Sequence, residues 1–591
     1  MCGINIIITT QESVKKSLLA MQETTKSRGP DSSGLLVHTS VNWQIAIGVN
    51  RLQVVDRNEK SNQPMVSPCG NYVLAYNGEV YNYQDLKNQL IIIGYTFTTN
   101  SDTEVVLTWI MEHGAKGIAD FKGMFALAFI NLREREVAIA RDRHGIKPLY
   151  VYQSTEKIVI SSSARAIETS GLVKLELNNN AINDYLSYRH VIGNATFYQE
   201  IKRQEPGAVT TFNSSLSAVN VDIKSPPAEK ERGLKSILVD TLAMLYDAPT
   251  PAGLMLSGGV DSTLLLAVLN KELGVQGLNT YTLDIGVDRK WAKQAAVQYG
   301  SNHHEIPVSP EVLHYIDDFL NKTDQPIADH GAFATWLVAR EATKNSNILL
   351  SGAGADELFG GYNRHRAYYY YLKHQQQALF VAKFVRGAGI NGLFPLGLKQ
   401  LLTGIDENPR ITYQNFLQNH GIKKNDNSGE LWDKPKSLME NLQKALDFDR
   451  SNYLVGDVLA ITDNSTMQHG VEARVPFLYD DVVSHAGTIS IEEKMKHSGK
   501  GQLKEILKGF NGQNYTQRAK QGFGLPMGNW LRDKNSNWLW EFLLKDSPLF
   551  EIVPKSEVYQ LLRLHQASKH DYSMQLWSIL VLEKWLSRFY R

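Results

Sequence analysis

"LMLSGGVDSTLLL" (residues 254–266) sets the architecture of more than half of the chain. An apolar run ends at Leu256, a Gly-Gly turn follows, and an apolar helical pattern begins at once. A buried strand passing through glycine into a helix is the opening unit of a doubly wound parallel sheet. Gly258 and Gly259 let the backbone approach a ligand and expose successive N–H groups, and the helix start adds partial positive charge. Ser257 and Ser262 add hydroxyl donors. The set reads as a pyrophosphate cradle. It is not a P-loop, because the Gly-Lys-Ser/Thr signature is absent. Asp261 beside phosphates calls for a bridging Mg²⁺.

Working outward, strand and helix patterns alternate: "GLKSILVDTLAMLYD" as helix, "LNTYTLDIG" as strand, "RKWAKQAAVQYG" as helix, "SNHHEIPV" as strand and "GAFATWLVAREATKN" as helix. "NILLSGAGADELFGGY" then repeats the strand–glycine–helix geometry and brings Asp356 and Glu357 to a second strand end. In such a sheet neighbouring carboxyl ends meet at the ligand crevice, so Asp356 is expected to face Asp261 across one pyrophosphate. Beyond about residue 365 the pattern is helical. Upstream, residues 1–212 hold short apolar runs parted by turns ("INIIITT", "WQIAIGVN", "YVLAYNGEVYN", "FALAFINL", "EVAIARD"), which predicts an α+β unit of packed antiparallel sheets. Residues 213–232 are polar, with Ser, Pro and Lys/Glu, and read as a linker into a domain spanning 233–591.

The composition narrows the function classes. The 591 residues are 43% hydrophobic and 21% charged with a net charge of +1, so nothing favours nucleic acid or an anionic membrane as partner. Two cysteines, Cys2 and Cys69, make neither a disulfide framework nor a four-cysteine zinc site. "INIII" is too short to span a bilayer, and no signal-peptide pattern opens the chain, so the expected setting is cytoplasmic. "HHE" (303–305) lacks the second histidine of a His-Glu-x-x-His zinc motif and reads as structural.

"MCGI" puts Cys2 behind the initiator methionine. Methionine removal leaves a free α-amine that can take the thiol proton; the alternative is a chance cysteine at a strand end. An acyl substrate also needs donors for its oxyanion, which Asn77 (side chain) and Gly78 (backbone) can supply. An amino-acid substrate needs a cation and an anion, for which Arg51 and Asp102 are candidates.

The chain resembles the glutamine-dependent asparagine synthetase family over its full length. "MCGI", "RGPD", "RLQVVD", "NQPM", "YNGEVYN", "SDTE" and "ARDRHGIKPLY" match the N-terminal-nucleophile glutaminase domain, and "SGGVDS", "SGAGADELFGGY", "VEARVPFL" and "KQGFGLP" match the synthetase domain. The resemblance implies that Cys2 attacks glutamine. Arg51, Leu52, Gln53, Val54, Val55, Glu79 and Asp102 would hold glutamine, with Asn77 and Gly78 as the oxyanion hole. Ammonia would pass inside the protein to a site where ATP adenylates a carboxylate. Met255, Ser257, Gly258, Gly259, Asp261, Ser262, Ile285, Ser351 and Gly352 would contact ATP, Asp261 and Asp356 would bind Mg²⁺, and Lys520 would stabilise the adenylation transition state. The partners implied are glutamine, ATP and an acceptor carboxylate, with homodimerisation left open.

Four positions depart from the family pattern. Ala353 stands where the first glycine turn commonly carries glutamate, Gln325 replaces a common glutamate, "IGVDRKWA" (285–292) lacks an acidic pair, and Ser163 replaces a glutamate near the route between the sites. The glutaminase and ATP cores look intact while the acceptor pocket looks altered. The acceptor is therefore aspartate, as in the family, or another carboxylate such as a sugar acid, peptide or pathway metabolite. A degenerate binding protein and a plain glutamine hydrolase are the readings from other classes. The intact Cys2, Arg51, Asp102, Lys520 and pyrophosphate loop argue against them.

Overall fold

The computed structural model describes residues 2–10, 14–222, 232–246, 250–387, 401–418, 431–433, 435, 437–517, 524–532, 546–568 and 571–590. Among the described residues, twelve strands build the first domain: β1 (Cys2–Thr9), β2 (Ser32–Ser40), β3 (Trp43–Arg51), β4 (Met65–Val66), β5 (Tyr72–Val80), β6 (Gly123–Asn131), β7 (Glu136–Arg141), β8 (Tyr150–Gln153), β9 (Lys157–Ser161), β10 (Ile201–Arg203), β11 (Ala208–Phe212) and β12 (Ala218–Asp222). They form two six-stranded sheets, ordered β10-β8-β9-β1-β3-β2 and β12-β11-β7-β6-β5-β4, in which every pairing is antiparallel.

Strand alternation explains the layering. Ile4, Ile6 and Ile8 of β1 join Ile45, Ile47, Val73, Ala75, Ala126 and Ala128 in a core between the sheets, while Ile7 and Ala46 face the helix Lys15–Thr25 on the other side. Leu74, Tyr76, Phe125 and Leu127 pack outward against the helices Tyr83–Ile92 and Asp102–His113. A strand with both faces covered has no polar face to show, which is why all eight residues of β1 are buried. The linker expectation for 213–232 needs one correction. Ala218–Asp222 pairs along β11, with Val219 and Val221 exposed on this edge strand; two valines among Ser, Asn and Asp left too weak an alternation to read.

The second domain holds a five-stranded, fully parallel sheet of β13 (Ala252–Met255), β14 (Asn279–Leu283), β15 (Asn302–Ile306), β16 (Ile348–Leu350) and β17 (Glu472–Arg474), ordered β15-β14-β13-β16-β17. The chain runs from β13 outward to β15, then returns to lay β16 on β13's other side. The strand order thus reverses between β13 and β16, where crevices open in such sheets. β17 lies within a stretch that the sequence presents as helical; three residues are too few to carry a period. His303 and His304 of β15 bond Thr280 and Asn279, as a structural reading of "HHE" requires, and Tyr368 and Tyr371 are buried on the helix Asn363–Lys373. Among the described residues no helix is long and apolar enough to cross a membrane.

Candidate functional site

The first site lies at one end of the antiparallel sheets. β1 and β3 pair with Cys2 opposite Arg51, so strand register alone brings the thiol and the guanidinium to one edge. The backbone nitrogen of Cys2 donates to Asn77 Oδ1 at 2.8 Å. That bond turns Asn77 Nδ2 away, and this fully buried donor has no hydrogen-bond partner among the described residues. Gly78 follows at φ +154°, where a Cβ would sit 2.1 Å from Met124 O, so only glycine lets β5 lie this close to β6. Asp102 opens its helix behind the Ser101 N-cap. Its Oδ2 accepts from Tyr76 Oη at 2.8 Å and from the Val80 amide at 3.1 Å. Arg51 is braced by Asn62 Oδ1 at 2.9 Å and by the Asp56 carbonyl.

Cys2, Arg51, Leu52, Val54, Val55, Gly78, Glu79 and Asp102 line one cavity. Gln53 does not line it; its amide is taken by Asp31 Oδ2 at 2.8 Å. Burial pushes the Cys2 thiol up, and the Arg51 charge pulls it back. Burial also raises the Asp102 carboxyl against the hydrogen bond from Tyr76. Six lining residues were not among the candidates: Asp56, Tyr76, Ser101 and Thr103 flank named ones, Gln63 reaches the cavity from the "NQPM" loop, and Glu472 reaches it from β17 of the second domain. Glu472 sits in the "VEARVPFL" motif (471–478), but the motif places it in the synthetase domain, and only the domain contact brings it to this cavity.

The second site lies at the carboxyl ends of β14, β13 and β16. Met255 ends β13, Ile285 follows β14, and Ser351 and Gly352 follow β16. Gly258 has φ +65°, and a Cβ there would meet Ala292 N at 2.4 Å. Ser262 Oγ lies 3.1 Å from Ser257 Oγ and accepts from the Ser257 amide at 3.2 Å, while the Gly259 amide donates to Ser257 Oγ at 3.3 Å. Asp261 Oδ2 and Asp356 Oδ1 stand 2.6 and 2.7 Å from one nitrogen, Lys500 Nζ. Burial alone would pull this ammonium down, yet the two carboxylates hold it well above the usual lysine range. Lys500 was missed because it lies 144 residues beyond Asp356, and the "SGKG" turn that carries it (498–501) follows no strand pattern. Lys520 falls outside the described residues.

Two hard oxygen donors that already converge on one cation suit Mg²⁺, which takes one or two carboxylates and fills its remaining positions with water and phosphate oxygens. Among the described residues no group of three or more His, Cys, Asp or Glu side chains is placed to hold a metal. The first glycine turn is apolar at Ala353, and the Glu357 carboxylate beside it takes the Tyr362 hydroxyl at 2.5 Å. Burial first, and then Asp356, push Glu357 up to about 7.

The family profile described as asparagine synthase matches residues 233–587, well over half of the chain. The chain belongs to the asparagine synthase family. A glutamine amidotransferase domain profile matches residues 1–220. Asparagine synthetase [glutamine-hydrolyzing] 1 of Bacillus subtilis is 28% identical over 603 residues, which covers 95% of this chain and 92% of that protein. A putative asparagine synthetase [glutamine-hydrolyzing] of Mycobacterium bovis is 26% identical across 95% of this chain and 92% of its own length. Asparagine synthetase B of Escherichia coli is 28% identical across 61% of this chain and 64% of its own length. Membership makes the protein a ligase of the glutamine-hydrolysing asparagine synthetase type.

The departures from the family pattern also have positions. Ser163 Oγ donates to Asp324, which also accepts from the Ala164 and Arg165 amides at 3.1 and 3.0 Å. Gln325 Oε1 accepts from the Phe197 amide at 2.9 Å. Asp324 and Gln325 line a cavity of about 50 Å³ between the domains, with Ile146, Tyr150 and Asp463. A carboxylate, that of Asp324, thus stands against Ser163 and beside Gln325.

Proposed function

We propose that the protein is a glutamine-dependent amidotransferase that adenylates an acceptor carboxylate and amidates it with ammonia from glutamine. The observation that carries the reading is the pairing of a buried Cys2, its nitrogen on Asn77, with a separate strand-end cradle holding Asp261 and Asp356.

With Met1 removed, the Cys2 nitrogen is an α-amine that takes the thiol proton. The sulfur bonds to the side-chain amide carbon of glutamine, and the carbonyl electron pair moves to oxygen. Asn77 Nδ2, a donor without a partner, and the Gly78 amide stabilise that oxyanion. Arg51 holds the glutamine α-carboxylate and Asp102 its α-ammonium. As the carbon–nitrogen bond breaks, the α-ammonium of Cys2 returns its proton to the leaving ammonia. Water then cleaves the thioester to glutamate. On this reading the cavity between the domains is part of the route for ammonia.

At the second site the Ser257–Ser262 turn and Ser351 hold the ATP phosphates, and the acceptor carboxylate displaces pyrophosphate to give an acyl-adenylate. Ammonia attacks that carbonyl carbon and AMP leaves. Asp261 and Asp356 would hold Mg²⁺, whose chemistry is to offset charge on the phosphates. Lys500, which the same two carboxylates hold, would add a second positive charge beside the phosphates.

The acceptor is aspartate in the family reading. The apolar turn at Ala353 and the engagement of Glu357 by Tyr362 favour a second reading, in which another carboxylate is preferred. ATP–pyrophosphate exchange with a panel of carboxylic acids, aspartate first, separates them. Exchange that is weak with aspartate and strong with another acid supports the second reading; efficient exchange with aspartate and no better acid restores the first. No exchange with any acid contradicts the adenylation itself.

A further inference from the structure

Gln63 is buried, with 4% of its surface exposed, in the loop between β3 and β4. Three contacts pin that loop. Asn62 Oδ1 accepts from Arg51 Nη1 at 2.9 Å and from Ser32 Oγ at 3.0 Å. Gly34 of β2 has no Cβ, and one there would stand 2.0 Å from the Gln63 carbonyl oxygen, so the loop lies directly on the sheet. Within this frame the Gln63 side chain has one orientation. Its Oε1 accepts the Tyr76 amide at 2.6 Å, and its Nε2 faces Cys2 Sγ at 3.5 Å. A flipped amide would set N–H against N–H at Tyr76 and oxygen against sulfur.

We propose that Gln63 is a side-chain hydrogen-bond donor to the nucleophile, aiming Cys2 Sγ and holding it as the thiolate. This rests on the reading of Cys2 as the glutaminase nucleophile. The sulfur needs such a donor because its surroundings are mixed. The α-ammonium of Cys2, Arg28 and Arg51 are cationic, whereas Asp56, Glu79, Asp102 and Glu472 are acidic and the Tyr76 hydroxyl is spent on Asp102. The backbone amide of Leu52 is the other donor on the thiol. A hydrogen bond donated to the charged sulfur is enough to move a thiol by about one to two pH units.

The test follows alkylation of Cys2 by chloroacetamide against pH, read peptide by peptide, with exposed Cys69 as internal reference. Gln63→Met keeps length and loses the donor; Gln63→Leu is the second variant should the first not fold, judged by its melting temperature. The expected result is a Cys2 inflection raised by about one pH unit or more, Cys69 unmoved. Glutamine hydrolysis should fall about tenfold in kcat with KM near the parent value. A Cys2 inflection equal to that of the parent overturns the proposal. Failure of the nucleophile reading shows separately, as glutamine hydrolysis that survives in Cys2→Ala, while the alkylation profile still scores Gln63.

Discussion

Arg474 and Glu79 join the two domains: Arg474 Nη2 lies 2.5 Å from Glu79 Oε2, with both groups buried. The same guanidinium holds Glu472 Oε1 at 2.8 Å, and the Arg474 carbonyl accepts the Ser351 amide at 2.9 Å. One residue therefore touches a wall of the Cys2 cavity with its side chain and the nucleotide cradle with its backbone. Burial pushes the Glu79 carboxyl up, and Arg474 opposes it.

Arg474→Gln leaves two buried acids without their cation. Breaking such a network costs about 3–5 kcal/mol, so thermal unfolding should show a drop of several degrees. Adding Glu79→Gln should recover part of the loss, because it removes one stranded charge. Independent, additive losses in this cycle would show that the pair is not coupled.

Lys500 offsets the facing charges of Asp261 and Asp356. Lys500→Ala should lower the melting temperature in magnesium-free buffer, and added Mg²⁺ should restore much of it without nucleotide. The parent should respond far less, because its ammonium already stands there. Equal responses of the two proteins would speak against a shared cation position.

Gly258 tolerates no side chain, given its φ of +65° and the 2.4 Å approach to Ala292 N. Gly258→Ala should abolish ATP–pyrophosphate exchange, because the turn must move, while glutamine hydrolysis in the other domain stays within about threefold of the parent. Exchange at the parent rate would exclude this turn as the phosphate cradle.

Asp449 is wholly buried, and its Oδ2 receives Arg364 Nε at 2.9 Å, His365 Nε2 at 2.7 Å and Tyr413 Oη at 2.7 Å. Burial works against ionisation, but these partners hold the carboxyl at about 2, below its ordinary 3.8. Because the folded value is the lower one, its stabilisation is complete above 3.8 and disappears as pH falls through about 2. Denaturant titrations should therefore separate the parent from Asp449→Asn at pH 6 by about 3–5 kcal/mol, a gap that narrows in acid. A gap constant down to pH 3 would contradict this.

The sequence disclosed the parts of the fold that are local. β1 and the 254–266 unit carry their period and turn chemistry within a dozen residues, and Cys2, Asn77, Asp102 and Asp261 sit in short motifs. What stayed hidden depends on distant contacts. β17 is three residues long and becomes a strand only by lying on β16; Lys500, Glu472 and Arg474 acquire roles only when the chain brings them across a domain boundary or sheet edge. Cys69 lies exposed in a turn. The replacement of acids at 163 and 325 signalled a change, and only folding shows that Ser163 bonds Asp324, 161 residues away.

The most direct test of the account replaces the nucleophile alone. Glutamate release from glutamine and amide formation from ammonium should be measured for parent and Cys2→Ala, with the acceptor that the exchange panel selects. The account predicts that Cys2→Ala loses glutamine hydrolysis and glutamine-driven amidation by at least about a thousandfold, while ammonium-driven amidation and ATP–pyrophosphate exchange persist at the parent rate. Glutamine hydrolysis persisting in Cys2→Ala, or ammonium-driven amidation lost along with it, would contradict the separation of two chemistries between two sites.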